Sequence, residues 1–430
     1  MTLSGGNGRN GGNGGLLRYR LLLRLLAPLI LLFNAWQAIR ARDIRVFRHR
    51  LGLCLPRRQE AALWLHAASV GELIAAQALL LALRRDYPQI PLVVTTTTPT
   101  GARLARQRLP EDVLHVYLPV DWPGAVKRFL RAVKPRAALI METELWPNLF
   151  AAVARQQIPL IIVNGRLSAR TLNARPWIRR LYAASLQQVS AVLARSAHDA
   201  DAYIQLGAPK ERVRTLGNIK FASAEGPAPQ PIALGRRYVL AASTHEGEEK
   251  QLAAIWQAQG FGASHLLVIA PRHPQRRDDI LKQLASLPVQ VAVRSRGDAI
   301  EADTLVYLAD TLGELEALMA GADVVFMGGS LVDHGGHNIL EPARLGRPIV
   351  FGPHMDNFTE ESTLLLNAGA ARQVDNCKEL AELLRTWFAA PQEAEQYGVQ
   401  AKQLMAQQGD VLVSYLDNIR ELAALGAPAR

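Results

Sequence analysis

Carboxylates recur in this sequence directly after apolar runs, where a strand would end. In LHAASVGE, residues 65–72, Glu72 follows the run from Ala61 to Leu65 and opens a stretch, ELIAAQALLLALRRDYP, with apolar residues at helical spacing. A carboxylate so placed can take the proton of an attacking hydroxyl as a general base. It also suits the first turn of a helix, whose dipole favours negative charge. LIMETELWPNL leaves its run on Glu142 and Glu144, and VNGRLS ends on Asn164, Gly165 and Arg166. LARSAHDA leads into Asp199 and Asp201, and TLGNIKF brings Asn218 and Lys220. Singly, each is explained by a cap, a turn or a solvated charge. Gathered on one sheet edge, two carboxylates and a lysine make an acid–base and charge-stabilising site.

The later part of the chain carries residues suited to phosphate. VFMGGSLVDHGGHNILEPARLGRPIVFGP, residues 325–353, holds Gly328, Gly329, Gly335 and Gly336, which allow a backbone to approach a ligand closely. A helix predicted from about Asn338 would point free N–H groups at a phosphate, and Glu341, one turn in, could accept from ribose hydroxyls. APRHPQR sets Arg272 and His273 at a strand end as a fixed cation. DTLGELEAL opens a helix near Gly313, again with free N–H groups. There is no GxxxxGK[ST] loop and no GxGxxG after a strand, which argues against ATP hydrolysis and a dinucleotide oxidoreductase. His334 and His337 lack an acidic or cysteine partner at ligand spacing, so no metal site is expected.

Positioning these residues calls for parallel sheets. From residue 61, short apolar runs (ALWLHAA, PLVVTTTT, VLHVYLPV, AALIMETE, PLIIVNGR, SAVLARS) alternate with helical patterns, the signature of a doubly wound α/β fold. FASAEGPAPQPIALGRR, residues 221–237, breaks the rhythm and reads as a linker. The plan resumes with YVLAAST, HLLVIAPRHP, VQVAVRS, TLVYLAD, DVVFMGGS and RPIVFGP, and closes on helical segments, the last from about Glu393 to Leu425. The expected organisation is an acceptor domain over 43–220, the linker, and a nucleotide-binding domain over 238–430, with a cleft between facing sheet edges.

Composition sets the setting. An apolar fraction of 49% is that of a globular protein, and Cys54 and Cys377 are too few for a disulfide framework or a metal cluster. Of the net charge of +11, most sits in residues 1–60, where eleven arginines face only Asp43 and Glu60. A nucleic-acid protein would spread its basic residues through the folded domain; here they flank LLLRLLAPLILLFNAWQAI, residues 21–39. Residues 16–42 are therefore expected to anchor the chain to an anionic membrane, spanning it or lying on it. The Gly- and Asn-rich lead, residues 1–15, is expected to be disordered.

HAASVGE, METELWPN, NGRLS, GNIKF, STHEGEE, APRHP and GGSLVDHGGHNILEPA stand in the order found in the transferases of 3-deoxy-D-manno-octulosonic acid (Kdo), and from about residue 16 the chain resembles that family. The resemblance implies a GT-B fold of two Rossmann-like domains behind a membrane anchor. It implies a CMP-Kdo donor, a lipid A precursor (lipid IVA) as acceptor, and a role in lipopolysaccharide core synthesis. It further implies an inverting mechanism with neither metal nor cofactor, on the cytoplasmic face of the inner membrane. By match of motif, Glu72 is the general base, and Glu142 and Lys220 stabilise the transition state. CMP is held by Pro271 and Arg272, by Leu312, Gly313 and Glu314, and by Asn338, Ile339, Leu340 and Glu341. Ala68 stands where Val is common and Ala222 where Asp is frequent; neither removes a catalytic group. The competing readings are another GT-B transferase or a nucleotide-sugar epimerase, and a membrane-tethered nucleotide-binding protein without catalysis.

Overall fold

The computed structural model describes residues 10–224, 229–408 and 410–428. The apolar runs form strands β1 (Ala62–His66), β2 (Leu92–Thr96), β3 (Leu114–Tyr117), β4 (Pro135–Met141), β5 (Leu160–Gly165), β6 (Ala191–Ala194) and β7 (Val213–Thr215). They make one parallel sheet in the order β3-β2-β1-β4-β5-β6-β7. Every side chain of β1, β2 and β5 is buried, as helices on both faces of a parallel sheet require. The order reverses between β1 and β4, and at such a switch point adjacent loops leave in opposite directions and open a crevice at the carboxyl edge.

The second unit repeats the plan with β8 (Tyr238–Thr244), β9 (Leu266–Pro271), β10 (Gln290–Val293), β11 (Thr304–Leu308), β12 (Val324–Met327), β13 (Ile349–Phe351) and β14 (Arg372–Gln373). Its order is β10-β11-β9-β8-β12-β13-β14, again parallel, with the switch point between β8 and β12. Trp256, Phe261, Phe326 and Trp387 fill its core.

Two expectations about the ends of the chain are corrected. The closing helix is two helices, Pro391–Gln408 and Asp410–Leu422, and the second belongs to the first unit. The sequence Gly409-Asp410 breaks the helical pattern with the residue least suited, after proline, to a helix interior. Beyond it Val411, Leu412, Tyr415 and Ile419 bury in the same core as Leu73, Leu80 and Leu83. The Tyr415 hydroxyl donates to the carbonyls of Gly217 (3.0 Å) and Leu193 (3.3 Å). The second unit therefore stops near residue 409 rather than at the C-terminus. Of the expected linker, 225–228 lie outside the described residues.

Of the expected disordered lead, residues 1–9 lie outside the described residues, and 10–15 begin a helix, Asn10–Leu25. The helix forms there despite its low-propensity glycines, and a Cβ at Gly15 would only just reach the Leu181 side chain, at 4.0 Å. A second helix, Ala27–Ala41, starts after Leu26 with Pro28 in its first turn. Among the described residues no helix is long and apolar enough to cross a membrane. The pair docks on the first unit: Arg20 donates to Asn148 (2.7 Å), Arg50 donates to Asn34, and Ala38 packs with Val46, Ala102 and Tyr117. Leu25, Leu29, Leu32, Phe33, Trp36 and Ile39 remain exposed.

Candidate functional site

Glu72 leaves β1 through a helix start. Ser69 caps the helix Val70–Asp86, its hydroxyl accepting from the Glu72 N–H at 3.2 Å. The Glu72 carboxylate reaches back, accepting from the Ala68 N–H at 2.8 Å and the Ser69 hydroxyl at 3.0 Å. This reciprocal cap fixes the side chain at the β1/β4 switch point. Burial pushes its pKa up to about 7, and the charges of Glu142 and Glu144 push the same way against the two cap bonds. A half-buried carboxylate poised near neutrality is suited to accept a proton.

Glu142 follows β4 and Asn164 is the last residue but one of β5, both in the left-handed region at φ 52° and 55°. Side chains disfavour that region, so the surroundings must hold them there. The Glu142 N–H donates to the Val163 carbonyl (2.9 Å), and the Tyr203 hydroxyl donates to the Glu142 carbonyl (2.8 Å). The Asn164 side-chain oxygen accepts from the Ile219 N–H at 3.0 Å, which sets the next residue, Lys220, beside the carboxyl end of β5. Asn218 fixes that turn by accepting from the Lys220 N–H at 3.1 Å.

Glu144 takes the opposite character to Glu72. Burial works to raise its pKa, but the His66 imidazole and the Trp146 N–H (2.9 Å) outweigh this and hold it below the ordinary carboxylate value. His66 lies fully buried in β1, its Nδ1 on Thr95 and its Nε2 3.6 Å from Glu144. Two neighbouring carboxylates driven apart in pKa form a division of labour familiar in acid–base sites. Sequence reading missed Tyr203, which sits inside the helix Ala197–Leu206 where nothing in the pattern marks it, and it gave no role to His66, the first residue of HAASVGE at the end of β1. Asp199 is engaged structurally, bonded by Arg195 (2.9 Å) and Ser196 (2.6 Å), and Asp201 is exposed on the same helix.

In the second unit the expected CMP-holding residues lie after β9, β11 and β12, at the carboxyl edge of the sheet. Pro271 ends β9, and Arg272 donates its N–H to the Thr244 carbonyl (3.0 Å) while its side chain is exposed. Leu312 is exposed, Gly313 has φ 86°, and Glu314 is held by Arg294 through two bonds of 2.6 Å. That pairing pulls the Glu314 pKa down to about 2. The helix expected from Asn338 is a single turn, Leu340–Arg344. Asn338 accepts from the Leu340 N–H (3.1 Å) and donates to Glu341 (2.9 Å), while Ile339 and Leu340 turn into the core.

The paired glycines accommodate the protein itself. A Cβ at Gly328 would lie 2.6 Å from the Thr244 Cα, and one at Gly329, where φ is 68°, would crowd the rings of His245 and His337 at 3.2 Å. Beneath them Glu248, fully buried, accepts from the N–H groups of His245, Gly329, Ser330 and Leu331 at 2.7–3.2 Å. Among the described residues, Asp333, His354 and Asp356 could converge on a cation, but none of the three is buried and none is a residue singled out from the sequence.

The family described as 3-deoxy-D-manno-octulosonic-acid transferase (kdotransferase) is matched over residues 45–223. A 3-deoxy-D-manno-octulosonic acid transferase of Haemophilus influenzae is 34% identical over 85% of this chain and 88% of its own length. One of Bordetella pertussis is 35% identical over 87% and 91%. The crystal structure of UDP-GlcNAc 2-epimerase from Neisseria meningitidis, bound to UDP-GlcNAc, is 14% identical, with a TM-score of 0.54 over 84% of this chain and all of that one. At that identity the last likeness concerns the fold, which is of GT-B type.

Proposed function

As the chain belongs to the 3-deoxy-D-manno-octulosonic acid transferase family, we propose that it moves Kdo from CMP-Kdo to a lipid A precursor, lipid IVA, with Glu72 as the general base. The observation that carries this reading is the Glu72 carboxyl, held by its cap at the β1/β4 switch point with a pKa near 7. An acceptor hydroxyl must shed its proton as it attacks the anomeric carbon, and a base of that pKa is half ionised at neutral pH. Glu142 and Lys220 stabilise the charge that develops, and direct displacement inverts the anomeric centre. The second unit binds the nucleotide, with Arg272, the backbone about Gly313 and the turn 338–341 as its contacts. No metal is needed to supply the nucleophile or to pair with the leaving CMP.

The acceptor's lipid nature is supported by the N-terminal helices. Their exposed leucines and aromatic residues, flanked by Arg18, Arg24, Arg40 and Arg42, suit an interfacial pair lying on an anionic cytoplasmic leaflet. A cavity of about 430 Å³ lined by Leu23, Leu26, Ile30, Phe33 and Trp146 opens beside them. Trp146 also holds Glu144, so this apolar wall adjoins the carboxylates.

The test is release of CMP on incubating detergent-solubilised protein with CMP-Kdo and lipid IVA. Release that requires both substrates and survives a chelator supports the proposal. An epimerase would release no CMP in step with acceptor glycosylation, and a scaffold would release none. Loss of turnover on chelation, restored by Mg²⁺, would overturn the metal-free mechanism.

A further inference from the structure

Four imidazoles gather at the switch point of the second sheet. His245 follows β8, His273 follows β9, and His334 and His337 come from the loop after β12. The Nε2 atoms of His245 and His337 are 2.8 Å apart, so one carries a proton and the other accepts it. The ring of His334 stacks on His245 at 4.1 Å and 19°, and His273 meets it edge-on at 5.9 Å. Stacked rings cannot aim their lone pairs at one point, and 2.8 Å is a hydrogen bond rather than the separation of two ligands on one ion. The cluster is therefore not arranged around a cation.

Its surroundings favour an anion. Arg272, next to His273, is exposed and makes no side-chain hydrogen bond or ion pair among the described residues. Arg276 is neutralised by Glu249 at 2.8 Å, and Glu248 spends its oxygens on four backbone N–H groups below the loop. Burial, the other histidines and Arg272 hold His245 and His337 down at about 4, so these two rings are uncharged at neutral pH. Gly329 is the residue that lets both rings close over the loop. The donor named above supplies what is missing, since the anomeric carbon of a 2-ulosonic acid bears a carboxylate and, when activated, a phosphate.

We propose that His245, His334 and His337, together with Arg272, form a seat for an oxyanion of the bound donor, its phosphate or its sugar carboxylate. The inference rests on the donor reading given above. An imidazole that hydrogen-bonds an anion becomes more basic, so the seat gains positive charge as it fills.

Calorimetry of wild type, His337→Gln and His334→Gln with CMP, cytidine, free Kdo and inorganic phosphate tests it. Glutamine retains a hydrogen-bonding group but cannot become cationic; His334 is exposed, so His334→Gln keeps the test open should His337→Gln fold poorly. A phosphate seat predicts CMP binding weaker by about tenfold in the variants, with cytidine unaffected. A carboxylate seat predicts unchanged CMP binding, with free Kdo binding and the KM for CMP-Kdo worsened by about tenfold. Wild-type binding of phosphate that depends on the histidines, without binding of CMP, would uphold the seat and overturn the donor. Folded variants that bind CMP and Kdo as wild type does would overturn the seat and leave the donor standing.

Discussion

Replacing Glu72 by glutamine separates a base from a helix cap. The wild-type carboxyl, with a pKa near 7 raised by burial first and by Glu142 and Glu144 next, should give a transfer rate that climbs about tenfold between pH 6 and 8 at limiting acceptor. Glu72→Gln should transfer about 10²–10⁴-fold more slowly and lose that limb, while CMP affinity stays within twofold. Stability gives an independent reading. A carboxyl whose folded pKa lies above its unfolded value of 4.5 binds more protons in the native state, so its contribution falls as pH rises from about 4.5 to 7. The full shift corresponds to about 3 kcal/mol, which solvent on the open side of a half-buried group reduces to about 1 kcal/mol. Glutamine loses one of the two acceptor bonds to Ala68 and Ser69, costing about 1 kcal/mol. The variant should thus be less stable than wild type at pH 4.5 and draw level by pH 8, as thermal denaturation at both pH values would reveal. A Glu72→Gln enzyme transferring within threefold of wild type, or a flat wild-type profile from pH 5 to 8, would refute the assignment.

Three further outcomes follow from the packing. Tyr203→Phe strips the donor from the Glu142 carbonyl and should cost about 1–3 kcal/mol, together with a fall in kcat that nucleotide affinity does not share. Glu248→Gln leaves one oxygen for four N–H groups and should cost about 3 kcal/mol by urea unfolding, weakening CMP binding as the loop 328–337 loosens. Tyr415→Ala should destabilise by about 3–5 kcal/mol, and limited proteolysis should then cut the first unit, in whose core Tyr415 lies, before the second.

The strands that sequence reading missed are β7 and β14, of three and two residues, at sheet edges and without a buried run. Periodicity needs more residues than these supply. The twelve others are apolar runs with turn residues at their ends, and their carboxyl ends carry the catalytic candidates. The strand-end placement of Glu72 and Glu142 was therefore legible, whereas Lys220 follows the missed β7. Tyr203 was not, because its role is a bond to a carbonyl 61 residues earlier, set by how a helix lies on β5 and β6. The histidine cluster was hidden likewise: His245 and His337 stand 92 residues apart, and only the strand order makes them neighbours. The return of the last helix to the first unit depends on which core its apolar face meets, and helical periodicity states only that such a face exists.

On the proposed reading, the cap and the base at Glu72 are one device rather than rival explanations. The bonds from Ala68 and Ser69 orient the carboxylate and favour its ionised form, whereas burial and the carboxylates on β4's exit favour the protonated form. Either influence alone would leave a poor base: an exposed capping glutamate stays near 4.5, too weak to take a hydroxyl proton, and an uncapped buried one would be protonated and free to rotate. The opposition of the two sets the group near neutrality and holds its lone pairs in a fixed direction. The left-handed backbone at Glu142, bonded by the Tyr203 hydroxyl, holds the second carboxylate where its charge raises the pKa of the first, which under the proposed mechanism would serve the base as well as the transition state.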